Sequence, residues 1–227
     1  MEYFITGVDT DIGKTFVTKG LSLACKHNGK RTGVFKPLQS GAINTPSGRF
    51  APDLEAVKKL SDEINTKYSY LLDGEVSPAL AARLSGITID TQKIKQDFDE
   101  FRIQNDITLV EGAGGLLAPA TDNMLCADLI KLLNIPIIIV TVPFLGRLNH
   151  TLLSIFYAKT KNIPIHGIII NQVPDNTNNQ ATKNFINELQ MYSDVPILGI
   201  IPQLKEENKE SIINIFKEIT PVLYSHI

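Results

Sequence analysis

Short, unbroken apolar runs alternate along this chain with longer stretches whose apolar positions recur at helical spacing. The runs at residues 3–7, 32–37, 107–111, 136–142, 165–171 and 197–201 read as strands. Their continuity suits parallel strands covered on both faces. Helical periodicity fills residues 14–28, about 53–61, 78–86, 90–104, 125–133, 149–161, 178–190 and 208–219. Gly29 is a stop for the first of these, while Ser77 before Pro78, and Asp90, stand at N-cap positions. The alternation predicts an α/β fold: a doubly wound, mostly parallel sheet flanked by helices, with ligands at the C-terminal strand ends. All of 1–227 reads as one domain. Residues from about 40 to 104 interrupt the pattern, and a helical and loop segment on the substrate side is expected there. The Asn/Thr-rich stretch 175–182 reads as a polar loop and helix start.

The first strand leads into Phe4-Ile5-Thr6-Gly7-Val8-Asp9-Thr10-Asp11-Ile12-Gly13-Lys14-Thr15. An apolar strand, a Gly-bearing loop and Gly-Lys-Thr opening a helix make a phosphate-binding loop, which refines the fold to the P-loop NTPase type. Backbone N–H groups and the helix N-terminus face polyphosphate, the lysine neutralises it, and the threonine hydroxyl reaches a metal ion. The loop between Gly7 and Gly13 is one residue longer than usual.

Composition narrows the partners. A net charge of −2 and a pI near 6.1 give no basic footprint for nucleic acid or an anionic membrane. No apolar run is long enough to span a bilayer, and a strand begins within the first residues, so a cytoplasmic protein without a leader is expected. Cys25 and Cys126 lie far apart and read as reduced thiols. His27, His150, His166 and His226 form no metal-binding spacing.

Several chemistry-bearing residues fall where strands end. Lys36 precedes Pro37 and a Ser40-Gly41 turn, and would face phosphate or snorkel at a sheet edge. Asp53 follows Pro52 and, taken alone, is explained as a helix cap. Glu111 closes an apolar strand before Gly112-Ala113-Gly114-Gly115, where nucleotide-binding folds place an acid for Mg²⁺. Asn171 could read a base edge or serve as a turn residue.

Taken together, Thr6 to Thr15, Lys36-Pro37-Leu38-Gln39-Ser40-Gly41, Ser77-Pro78 with Ala81-Ala82, Val110-Glu111-Gly112-Ala113-Gly114-Gly115 and Leu145-Gly146-Arg147-Leu148-Asn149-His150-Thr151 closely resemble the dethiobiotin synthetases. The resemblance runs from Tyr3 to about Leu204, and the longer loop is itself a trait of that family. It implies a ligase of biotin synthesis that uses ATP and Mg²⁺ to join CO₂ (or bicarbonate) to 7,8-diaminononanoate and close a cyclic urea. By resemblance, the loop at Asp11, Ile12, Gly13, Lys14, Thr15 and Phe16 holds the triphosphate, and Lys14 and Lys36 are the catalytic lysines. Thr15, Asp53 and Glu111 surround Mg²⁺. Thr10, Ser40 and Gly115 meet the diamine or its carbamate, and Gly112, Ala113 and Gly114 line the reacting centre. Asn171, with Pro202, Gln203 and Leu204, flanks the base. Gly146 and Asn149 receive the substrate carboxylate across a homodimer interface. Phe185 lies near the position of a family tyrosine and lacks its hydroxyl.

A switch ATPase of the partition type would share this fold. Those proteins carry a lysine at the position of Asp9, and usually an Asp-x-x-Gly where this chain has Glu111-Gly112-Ala113-Gly114. Both differences favour the synthetase.

Overall fold

The computed structural model describes residues 1–174, 180–204 and 207–224. In chain order the strands are β1 (Glu2–Gly7), β2 (Thr32–Gln39), the short pair β3 (Ile43–Thr45) and β4 (Gly48–Phe50), β5 (Asn65–Leu71), β6 (Ile107–Gly115), β7 (Ile137–Thr141), β8 (Ile165–Val173) and β9 (Ile197–Pro202). The helices are α1 (Lys14–His27), α2 (Pro52–Lys58), α3 (Pro78–Leu84), α4 (Thr91–Arg102), α5 (Cys126–Leu133), α6 (Arg147–Thr160), α7 (Gln180–Tyr192), α8 (Lys209–Phe216) and α9 (Thr220–Tyr224).

The apolar runs become strands of one parallel sheet, ordered β5-β2-β6-β1-β7-β8-β9. Side chains alternate across it, as a period of two requires. Tyr3 and Ile5 enter a core with α1, α2, α8 and α9. Phe4, between them, enters a second core with α4, α5, α6 and α7. Burial on both faces explains why the strands carry unbroken apolar runs.

Strand order also fixes where ligands go. β1 lies between β6 and β7, so the loop leaving it opens into the crevice where the chain switches sides of the sheet. Neighbouring β6 and β2 bring their own C-terminal ends to the same edge.

Three elements depart from the sequence reading. The segment 40–104 holds more than helices and loops: it supplies the β3–β4 hairpin and the edge strand β5. Helix α9 follows α8 as a separate turn. Ser77 occupies the N-cap position of α3, yet its hydroxyl makes no capping bond, whereas Asp90 accepts from the Gln92 amide as expected. Residues 178 and 179 of the expected seventh helix, residues 175–177 of the polar stretch, and His226 lie outside the described residues. Among the described residues no helix is long and apolar enough to cross a membrane.

Candidate active site

The loop between β1 and α1 is shaped by its backbone. Asp11 and Gly13 have φ of 53° and 83°, the left-handed region, so the chain doubles back just before the helix. At Gly13 a side chain would collide with Asn171, whose Nδ2 lies 2.2 Å from where Cβ would stand. Asn171 needs that closeness: its Nδ2 donates to the Ile12 carbonyl at 2.9 Å and holds the loop from the end of β8. Beneath, Ile12 is buried in the core. Gly13 then opens α1 with no side-chain cap, leaving the first-turn amides for a ligand.

Lys14 folds back over this loop, its Nζ donating to the Asp9 carbonyl at 2.9 Å. Burial, and then the charge of Lys36, lower its pKa. The next residue starts a polar network. Thr15 Oγ1 lies 3.0 Å from Asp53 Oδ1 and 2.8 Å from Glu111 Oε1. Lys36 Nζ lies 2.6 Å from Asp53 Oδ2, 2.9 Å from Glu111 Oε1 and 3.2 Å from the Gly112 carbonyl. Four elements thus converge: α1, the end of β2, the start of α2 and the end of β6.

Charge in this network is balanced by contact rather than by water. Burial pulls the Lys36 pKa down; Glu111 and Asp53 outweigh it and hold the lysine above its ordinary pKa. Burial pushes Asp53 up, but Lys36 and Thr15 bring it below the usual carboxylate range. For Glu111 burial dominates and raises the pKa, with Asp53 adding and Lys36 opposing. The two carboxylates therefore part, Asp53 being the readily ionised one. Glu111 Oε2 is buried without a hydrogen-bond partner.

That orphaned oxygen tests the fit of a metal. Two carboxylates and a hydroxyl form a hard-oxygen set of the kind Mg²⁺ takes when phosphates and waters complete its shell. Among the described residues no group of three or more His, Cys, Asp or Glu side chains could hold a metal without such help.

The network floors a cleft of about 880 Å³. Of the sequence-derived candidates, Thr10, Asp11, Gly13, Lys14, Thr15, Lys36, Ser40, Asp53, Glu111, Gly112, Ala113 and Gly114 line it. Gly115 lies against the Gly7 carbonyl instead. Phe16 packs beside Phe216, ring centroids 5.8 Å apart. Pro202, Gln203 and Leu204 leave β9 beside the end of β8, fixed by the Gln203 amide donating to the Val173 carbonyl at 2.7 Å. Gly146 and Asn149 are exposed at the start of α6, outside the cleft wall.

Residues that the sequence reading did not assign also belong to the cleft. Gln39 is buried with Oε1 unpartnered and its amide on the Ser40 carbonyl. Gln172 reaches the wall from a left-handed backbone, φ 53°. Residues 75–78, with the uncapped Ser77, close the far side.

Residues 1–211 match the model of a family described as an AAA domain. The chain is 33% identical over 222 residues to the ATP-dependent dethiobiotin synthetase BioD of Bacillus subtilis (strain 168), covering 95% of this chain and 93% of that one. Against the protein of the same name from Anoxybacillus flavithermus it is 37% identical over 215 residues, covering 93% and 96%. Among solved structures, the septum site-determining protein MinD of Pyrococcus horikoshii, complexed with Mg-ADP, aligns with a TM-score of 0.63 at 19% identity, over 99% of this chain and 96% of that one. A MinC:MinD cell division complex from Aquifex aeolicus gives 0.66 at 13%, over 100% and 97%. At such identities the structural likeness establishes the P-loop fold and nothing finer.

Proposed function

The chain belongs to the ATP-dependent dethiobiotin synthetase family, and on that premise we propose that it carboxylates 7,8-diaminononanoate with CO₂ and closes the ureido ring at the expense of ATP. The observation that carries the reading is the Thr15–Lys36–Asp53–Glu111 network directly beside the phosphate loop, on the floor of the same cleft.

The chemistry asks for charge neutralisation more than for a base. One amine takes up CO₂ to give a carbamate. Its oxygen displaces ADP from the γ-phosphorus, and the second amine then attacks the carbonyl of the mixed anhydride, expelling phosphate. Each partner in the first displacement is an anion, so repulsion is the obstacle. Loop amides and Lys14 bind the triphosphate, and Lys36, kept protonated by its carboxylates, faces the transferring group. Thr10 and Ser40 orient the diamine. Asn171 and residues 202–204 border the base. Mg²⁺, held by Thr15, Asp53 and Glu111, would neutralise phosphate charge.

The start of α6 supports a second part of the reading, a homodimer with shared sites. Gly146 and Asn149 stand at a helix N-terminus suited to a carboxylate. Beside them Phe144, Leu145, Leu153 and Phe156 are all exposed, Leu145 fully. An apolar patch of that kind fits a contact between copies. A cytoplasmic location accords with two buried free thiols. A switch-ATPase reading lacks its loop lysine: Asp9 stands there, paired with Arg147.

The deciding experiment is mass spectrometry of the diamine incubated with protein, ATP, Mg²⁺ and bicarbonate. A product heavier by one carbonyl less two hydrogens is expected. ATP turnover without that product would sink the reading.

A further inference from the structure

The phosphate loop is pinned from two sides. Asn171 holds Ile12 from β8, as described. The second pin comes from α6. The Arg147 guanidinium reaches the Asp9 carboxylate across 138 positions of sequence, Nη1 donating to Oδ2. The same Nη1 lies 3.0 Å from His150 Nδ1, one turn along the helix. The other Asp9 oxygen accepts from the Thr10 amide at 2.8 Å. The Asp9 carbonyl, in turn, accepts Lys14 Nζ. One residue therefore joins the guanidinium, the substrate-side threonine and the phosphate-side lysine.

A half-exposed ion pair ordinarily contributes little to stability. Its weight here is geometric. Asp9 stands just before the residues with left-handed φ, where the loop has few other side-chain ties, and Arg147 is the outer contact that sets its orientation. The guanidinium, with the Thr10 amide, also holds the Asp9 carboxyl below the ordinary range, so it stays an acceptor.

We propose that Arg147 is a positioning residue for the phosphate loop: by fixing Asp9 it sets the Thr10 amide and the Lys14 ammonium, and so makes phosphate affinity depend on α6. The inference rests on the nucleotide-binding reading of the loop and on no other part of the proposed reaction.

Calorimetric titration of the full chain tests it, with ADP and with pyrophosphate alone, for Arg147→Ala, Asp9→Asn and the double variant. Each single change is expected to weaken both ligands about tenfold, the scale of one charge-assisted contact. The double variant should be no weaker than either single, because both break one chain of contacts. Arg147→Lys, which keeps the charge and loses the fork, should recover part of the affinity. The melting temperature of the ligand-free protein should not move. Wild-type affinity in Arg147→Ala overturns the proposal, as do additive losses in the double variant. A loss of affinity that tracks a loss of ligand-free stability would also overturn it, making Arg147 a plain brace. Failure of the wild type to bind either probe would instead sink the nucleotide reading beneath it.

Discussion

Around Lys36 nearly every polar group meets a partner from its own chain, whereas the start of α6 turns Gly146, Asn149 and four large apolar side chains outward. The first region is built by strand ends that the sheet forces together. Its charges are largely buried and paired, apart from Glu111 Oε2, so it is pre-organised before any ligand arrives. The second has a helix N-terminus and an apolar rim but, among the described residues, no opposing wall. On the proposed reading, a single chain supplies the phosphate end of the site, and the carboxylate end calls for a second copy. A buried end should respond to mutation in both stability and activity, and an exposed end in activity alone.

The largest effect should come from Lys36→Ala. Turnover should fall by roughly 10²-fold or more, the scale of losing one preorganised electrostatic contact. Stability should fall too, by about 3–5 kcal/mol, because Glu111 is left buried without its cation. Stopped-flow turnover and denaturant titration measure the two. A variant as stable as wild type would show that the cluster is less coupled than its distances say.

Asn149→Ala should abolish turnover to a similar degree while leaving the denaturation midpoint unchanged. Mixed with inactive Lys14→Ala under conditions of subunit exchange, it should recover activity through hybrid sites. No recovery, or a fully active monomer by light scattering, would remove the contrast at its exposed end.

Smaller effects lie within the buried end. Asp53→Asn and Glu111→Gln should each weaken ADP binding about tenfold in the presence of Mg²⁺ and much less without it, a difference that calorimetry resolves. An unchanged metal dependence in both would take these residues away from the ion.

The smallest effect is on acid stability. Asp53 has a lower pKa folded than unfolded, so its contribution is fully present above the ordinary aspartate value near 3.9 and fades as pH falls through the lower native value. Glu111 runs the other way: its raised folded pKa favours the fold at low pH and gives that up as pH rises. Asp53→Asn should therefore flatten the acid limb of a stability–pH curve, and a limb as steep as wild type would show that other carboxylates set it.

What the sequence made legible follows from burial. Strands β2 and β6 are covered on both faces, so their apolar runs are unbroken, and a Lys36 or Glu111 at the end of such a run stands out. Strand β5 is a sheet edge with half-covered residues. Asn65, Lys67 and Ser69 alternate with Thr66, Tyr68 and Tyr70, a pattern too weakly apolar to be told from loop. The β3–β4 hairpin is mostly exposed and carries no core pattern at all. Gln39 lies inside the Lys36–Gly41 motif but was given no role there, Gln172 belongs to no motif, and a left-handed glutamine leaves no mark on sequence. Asn171 was readable as a site residue, but its amide is engaged with Ile12, a contact that depends on how closely Gly13 lets the two backbones approach. The pairing of Asp9 with Arg147 is likewise a product of tertiary distance.

The strand order sets a timetable for making the protein. β1 pairs with no strand near it in sequence: Glu2 meets Thr108, and Phe4 meets Ile137. At a synthesis rate of roughly 5–20 residues per second, β1 waits on the order of ten seconds for both neighbours to leave the ribosome. Until β6 emerges its apolar residues have no sheet to enter, and until β7 follows one edge of β1 stays open and the crevice is incomplete. The motif most easily recognised in the sequence thus takes shape well after it is made, and a chain stalled before β6 would present an unshielded hydrophobic segment to chaperones.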